Sequence, residues 1–291
     1  MVAGRADRGK VAVMTHDDNT FAYETIRVER SDRVVHLELN RPERLNALSR
    51  SMLLELNRAL DEAEQDAGAR VIVISGAGRG FSSGFDLKEQ AEAGPSGHDA
   101  WRRILDLDFN TTMRFWRCPK PTIAAVHGPC LAGAFELALA CDITIAAQDA
   151  VFGEPELRFG AGIVTMLLPW VTSPKQAKQM ILCGLDNIDA GAALQMGVVS
   201  RVVPAGAHLE AAMRVATNIA AIDPSLVMDT KRAINRCYEI QGIDAALKAG
   251  LDIDLLIESH GSPDKKQFMD IARERGLKAA LAWRAARFAR E

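Results

Sequence analysis

Apolar and polar positions alternate from Val34 to Leu39 (VVHLEL), and Asn40-Arg41-Pro42 stops the run, which predicts a strand. From Ser49 the period lengthens. Met52, Leu53, Leu56 and Leu60 recur at helical spacing, with Ser49 as the N-cap. Val71 to Ile74 is short and wholly apolar, as in a strand buried on both faces, and runs into Gly76-Ala77-Gly78-Arg79-Gly80. Ala91 to Gly97 reads as a loose loop, and Asp99 to Trp116 as a helix closed by Pro119 and Pro121. Thr122 to Val126 is a second apolar strand, broken by Gly128-Pro129. A helix over Gly133 to Ala140, a strand over Asp142 to Ala146 and a loop through Phe152-Gly153-Glu154-Pro155-Glu156 follow. Past Gly160 the spacing is mostly helical, with one short strand at Val198 to Val203. Strand and helix alternate for two thirds of the chain and helices dominate the rest, the pattern of an α/β core carrying a helical C-terminal layer.

Composition changes this picture little. The 291 residues are 48% hydrophobic and 25% charged, ordinary for a globular protein. A formal net charge of -3 gives no electrostatic reason to expect nucleic acid or an anionic membrane as partner. The five cysteines form no C-x-x-C pair and lie near no histidine at ligand spacing, which suggests reduced thiols in a cytoplasmic setting and no metal site. No apolar run is long enough to span a membrane. Residues 1 to about 20 lack the apolar core of a secretory signal and read as a polar extension.

Three stretches could carry chemistry. Gly80-Phe81-Ser82-Ser83-Gly84 matches the G-x-S-x-G nucleophile elbow, but a glycine loop separates Ser82 from its strand and no helix is expected directly after it. His127, His208 and His260 sit in no context suggesting a triad. Gly76-x-Gly78-x-Gly80 likewise fails the dinucleotide spacing. The second stretch runs from Gly128 to Leu137: a strand ends, a Gly-Pro turn follows, small residues allow close approach, and a helix starts. Free N–H groups there can hold negative charge. Glu136 falls on the face of Gly133, one turn on; by itself it could equally be a first-turn acid favoured by the helix dipole. The third stretch places Glu154 and Glu156 beside a proline. A helix from Gly133 and a returning strand bring this loop back toward the helix start, where paired carboxylates could divide acid and base work.

Taken in order, these segments resemble the enoyl-CoA hydratase (crotonase) superfamily. Asn40-Arg41-Pro42-Glu43-Arg44-Leu45-Asn46-Ala47-Leu48 resembles its N-R-P-x-[KR]-x-N-A-L loop, and Phe81-Ser82-Ser83-Gly84-Phe85-Asp86-Leu87 its F-[SA]-[SA]-G-x-D-[LI] segment. Pro121 to Gly128, Leu131 to Ala138 and Cys141-Asp142 resemble P-x-I-A-A-V-x-G, G-G-x-x-E-L-A and C-D, and Phe152 to Glu156 resembles F-x-x-P-E.

The resemblance implies a crotonase-like spiral of ββα repeats over residues 21–223 and a helical C-terminal trimerisation region over residues 224–291. It implies a homotrimer or homohexamer, and hydration of an enoyl-CoA thioester or the reverse dehydration. Glu136 and Glu156 map onto the two hydratase carboxylates, and the backbone N–H groups of Phe85 and Gly133 onto the oxyanion hole. Arg44, Ala47, Ser83, Asp86 and Leu87 map onto the wall around the CoA moiety. No metal or other cofactor is implied, since coenzyme A enters with the substrate. An enoyl-CoA isomerase, an aromatic hydroxyacyl-CoA hydratase-lyase and a non-catalytic CoA-ester-binding scaffold remain as alternatives. Where the family shows G-x-x-P-x-x-G-G-T, this chain has Gly160 to Trp170, whose Ile163, Val164, Met166, Leu167 and Leu168 are expected to line an apolar acyl pocket. Leu226, Ile234, Leu247, Leu251 and Leu255 are expected to face other subunits.

Overall fold

A computed structural model describes residues 23–288; the polar extension expected over residues 1 to about 20 lies outside them. Six strands form the main sheet: β1 (Ile26–Ser31), β2 (Val34–Leu39), β3 (Val71–Gly76), β4 (Thr122–Val126), β6 (Ile143–Ala147) and β9 (Arg201–Val203), side by side in that order. A second, small sheet holds β5 (Pro129–Leu131), β7 (Val151–Gly153) and β8 (Ile188–Asp189). From β2 to β9 the main sheet is parallel, and β1 alone runs antiparallel to its neighbour. The unexpected β1 is an edge strand whose side chains beyond Ile26 are mostly exposed, so it carries little of the apolar signal that marks its neighbours.

The parallel pairing explains the wholly apolar runs. Ile72, Ile74, Ala124 and Val126 point to one face, toward α1 (Arg50–Gln65), α3 (His98–Arg117) and α4 (Gly133–Ala140). Val71, Val73, Ile123 and Ala125 point to the other, against Ala211, Ala212, Ala216 and Ala220 of α8 (His208–Ala220).

The small sheet reveals the repeat. After each inner strand the chain turns, makes a short extended run and enters a helix. Leu48 bridges Phe85 in parallel, Ser82 bridges Cys130, and β5 pairs in parallel with β7. Successive turns are β2 to α1, β3 to α2 (Leu87–Ala93), β4–β5 to α4, and β6–β7 to a 3₁₀ turn at Glu156–Phe159. This is a spiral of ββα units, and it gathers several helix starts at one end. The stretch read as a loose loop begins inside α2, which is short and buries only Ala91. Asp142 joins the layers: its Oδ2 accepts from the Thr122 N–H at 2.7 Å and pairs with Lys231 Nζ at 2.7 Å.

Beyond the spiral lie α5 (Leu168–Val171), α6 (Pro174–Cys183), α7 (Ala190–Gln195), α9 (Pro224–Ile240), α10 (Ile243–His260), α11 (Pro263–Arg275) and α12 (Leu277–Ala286). The apolar stripe expected to face other subunits divides. Leu247, Leu251 and Leu255 are buried in the chain's own core, where α10 packs on α3. Leu226 and Ile234 are exposed on α9. Helices α11 and α12 fold back over α2, with Phe268 and Met269 packed against Ala91 and Phe159. No described helix is long and apolar enough to cross a membrane.

Candidate active site

Where β5 meets α4 the backbone is tightly constrained. Gly128 has φ +50, and a Cβ there would lie 2.3 Å from the Arg79 carbonyl oxygen. Ala132 is held at φ 56, ψ -138, a conformation that disfavours any side chain. Its carbonyl accepts from the Phe135 and Glu136 N–H groups. As the first helical residue, Gly133 has no partner one turn back, and among the described residues its N–H meets no acceptor. Phe85 presents a second such group. Leu48 bonds to Gly84 O at 2.9 Å and accepts from Asp86 N at 3.1 Å, so the intervening Phe85 N–H points to the opposite side and also finds no acceptor among the described residues. The two segments touch, since a Cβ on Gly84 would lie 2.6 Å from Ala132 Cβ and 3.3 Å from Gly133 N. Two unsatisfied N–H donors on adjacent segments form a seat for negative charge.

Beside this seat lie three buried carboxyl groups. Glu136 comes from the first turn of α4, and Glu154 and Glu156 flank Pro155 after β7; each has one side-chain oxygen without a hydrogen-bond partner. Burial is the main cause holding all three above the usual carboxylate range. Glu156 repels Glu136 and lifts it further, while the backbone of Thr165 pulls the other way. Glu156 is pushed up to about 8 by burial, with Asp254 adding to the rise and Arg284 opposing it. Glu154, repelled by both other glutamates, is held well above the usual range.

A cavity of about 300 Å³ opens beside the group. Arg44, Ala47, Ser83, Asp86 and Leu87 all line it, with Phe85, Ala132 and Glu156. Gly133 and Glu136 contribute nothing to its wall: the Phe85 ring lies over Gly133, its Cε2 being 2.2 Å from where a Cβ would stand. The Asp86 carboxylate is already engaged, capping α2 through the Lys88 and Glu89 N–H groups and pairing with Arg41 at 2.9 Å. Of the segment expected to form an apolar pocket, Ala161, Gly162 and Val164 reach the cavity. Ile163, Leu167 and Leu168 are instead packed into the core, and Met166 lies against it, because the chain after Glu156 turns inward beneath α10.

Several residues of the wall escape sequence reasoning: Asp108 from α3, Asp254 and Glu258 from α10, Lys265 from α11 and Arg284 from α12. Charged residues on long helices read as solvated faces, and no local signal marks these as buried. Ser82, by contrast, is fully buried and its Oγ accepts from the Gly84 N–H at 3.2 Å. His127 and His208 stack on each other, ring centroids 4.4 Å apart, and among the described residues no histidine hydrogen-bonds to Ser82. The nucleophile-elbow alternative therefore lacks its base.

The family model described as enoyl-CoA hydratase/isomerase matches residues 29–268. The chain belongs to this family. A crystal structure of an enoyl-CoA hydratase/isomerase from Xanthobacter autotrophicus Py2 is 58% identical and superposes with a TM-score of 0.91, covering 92% of this chain and all of that one. A probable enoyl-CoA hydratase of Mycobacterium bovis is 38% identical over 221 residues, 75% of this chain and 83% of its own. A hydroxycinnamoyl-CoA hydratase-lyase of Pseudomonas fluorescens is 31% identical over 264 residues, 85% and 93% of the two chains. The ββα spiral is thus the crotonase fold, and the protein is an enzyme of that superfamily.

Proposed function

We propose that the protein adds water across the α,β double bond of an enoyl-CoA thioester, or removes it in reverse. The observation that carries this reading is the pair of unsatisfied N–H groups, on Phe85 and Gly133, next to two buried glutamates with raised proton affinity. Bonding of water oxygen to the β-carbon drives the electron pair of the double bond toward the thioester carbonyl, leaving negative charge on its oxygen. Two fixed donors meet that charge, and losing one such donor costs about 3 kcal/mol of transition-state stabilisation. The active form of the pair carries a single proton: Glu136, ionised in that form although burial and Glu156 raise its proton affinity, holds the water and takes its proton, and Glu156, protonated at neutral pH, supplies a proton to the α-carbon. Arg44 and Lys88, both lining the cavity, supply positive charge suited to the phosphates of the CoA moiety.

The presence of both glutamates favours hydration over isomerisation, which needs essentially one acid–base group. The test is hydration of crotonyl-CoA, followed by loss of enoyl absorbance. Glu136→Gln and Glu156→Gln should each lower turnover at least a hundredfold, and the losses should not add, because the two groups act as a unit. Near wild-type turnover in either variant refutes the mechanism.

A homotrimer or homohexamer belongs to the same proposal. Exposed Ile222, Leu226 and Ile234 border a largely apolar groove of about 600 Å³ with Leu139, Val198 and Tyr238, a face suited to burial against another subunit. A monomer by light scattering at micromolar concentration would count against it.

A further inference from the structure

Toward its C-terminal end helix α10 departs from the usual order of a surface helix. Ile253, Leu256 and Ile257 are 60%, 54% and 41% exposed, whereas Asp254 and Glu258, one turn apart, are 2% and 5% exposed. Glu258 is accounted for: it pairs with Lys265 and accepts from the Gly162 N–H at 3.2 Å. Lys265 in turn lies 4.1 Å from the centre of the Trp101 ring. The Lys265 charge acts on Asp254 as well, but the hydrogen-bonding capacity of Asp254 is not accounted for. Neither of its carboxylate oxygens has a hydrogen-bond partner, and a Cβ on Gly162 would fall 1.9 Å from Oδ1, so only the missing side chain of Gly162 leaves room for it. Asp254 lines the same cavity as Glu156, and its charge is felt by both glutamates and by Asp108, which lines the wall too. A buried acid with no hydrogen-bond partner is costly and is kept where it serves a ligand.

We propose that Asp254 and Asp108 form a polar subsite in the acyl pocket, which hydrogen-bonds a hydroxyl group carried by the acyl chain. The inference rests on the CoA-ester reading above and narrows its substrate class. An unsubstituted chain would set methylenes against a bare carboxylate. A hydroxyl donates to Asp254 and, with its oxygen, accepts from Asp108, whose burial favours the proton-bearing form, satisfying groups that the protein leaves open.

The test is calorimetric binding of saturated acyl-CoA esters that are neither hydrated nor dehydrated: an unsubstituted ester against esters of equal length with a hydroxyl at successive positions from the γ-carbon outward, the β-hydroxy ester being left out because it is the hydration product. At one position or more the hydroxylated ester should bind at least tenfold tighter. Asp254→Ala should reduce that preference below twofold. Asp254→Asn, which keeps the shape and an acceptor but not the charge, should cut it at least threefold and serves if the alanine variant does not fold. Equal binding of hydroxylated and unsubstituted esters, or a preference that survives both substitutions, overturns the subsite. Tighter binding of an ester bearing an ammonium group in place of the hydroxyl overturns the assignment to a hydroxyl. Failure of every ester to bind refutes the CoA-ester reading itself, so the two failures are distinct.

Discussion

Replacing Glu156 by glutamine should make the folded protein more stable as it destroys activity, and the gain should grow with pH. The folded chain holds this carboxyl at about 8, against an ordinary value of 4.5, because burial penalises the charged form. Below pH 4.5 the group is protonated whether the chain is folded or not, and folding gains its full proton-linked benefit. As pH rises the unfolded chain ionises first, so unfolding releases a proton and higher pH favours the unfolded state until the folded group ionises too, near 8. At about 1.4 kcal/mol for each tenfold difference in proton affinity, this one group lowers stability by roughly 4 kcal/mol between pH 5 and pH 8.5. Glutamine has nearly the same shape and does not titrate.

The gap between variant and wild type should therefore widen by roughly that amount over the range, or by roughly 10 °C in melting temperature for a chain of this size. Thermal melts at pH 5, 7 and 8.5, at one fixed protein concentration, measure it. A gap that is constant or narrows with pH would refute the argument from burial. A widening gap with hydration intact would leave burial standing and remove Glu156 from the mechanism.

Three further outcomes follow from the geometry. Arg284 lowers the proton affinity of Glu156 by its charge, so Arg284→Leu should move the alkaline limb of the hydration profile above pH 8 while Arg284→Lys leaves it in place; an unmoved limb in the leucine variant counts against that charge effect. Ala132 stands at φ 56 where glycine carries no penalty, so Ala132→Gly should stabilise the fold by about 1 kcal/mol in denaturant titrations, and a loss of stability would show that the turn is unstrained. Phe85→Ala keeps its backbone N–H and should retain hydration. Gly133→Pro, introduced into that variant so that the new ring does not meet the Phe85 side chain, should fold by circular dichroism yet lose activity; retained hydration would exclude the Gly133 N–H as a donor.

What could be read in advance follows the distance over which each feature is determined. Ser49 was legible as a helix cap because capping is local, and its Oγ accepts from the Met52 N–H at 3.3 Å. The buried strands were legible because a parallel sheet covered on both faces tolerates little but apolar side chains. β1 and α2 were not, since each buries almost nothing. The gathering of Glu136 and Glu156 could be inferred because only the rest of α4 and the short strands β6 and β7 separate them. No such short path leads to Asp254, Lys265 or Arg284. They reach the cavity only because α10 packs on α3 and α11–α12 fold back over α2, contacts made between segments far apart in the chain. The same long-range packing explains the errors of assignment. Leu247, Leu251 and Leu255 looked like an interface because α3, their partner, lies far upstream, and Met166 looked like pocket lining because α10 takes that place. The features that would perform the chemistry are thus carried by short, local motifs, whereas the wall that would select the acyl group is supplied by the C-terminal helices. A chain can keep the former and change the latter, which is why the departure after Gly160 leaves the two glutamates in place while the pocket acquires charges that no motif foretells.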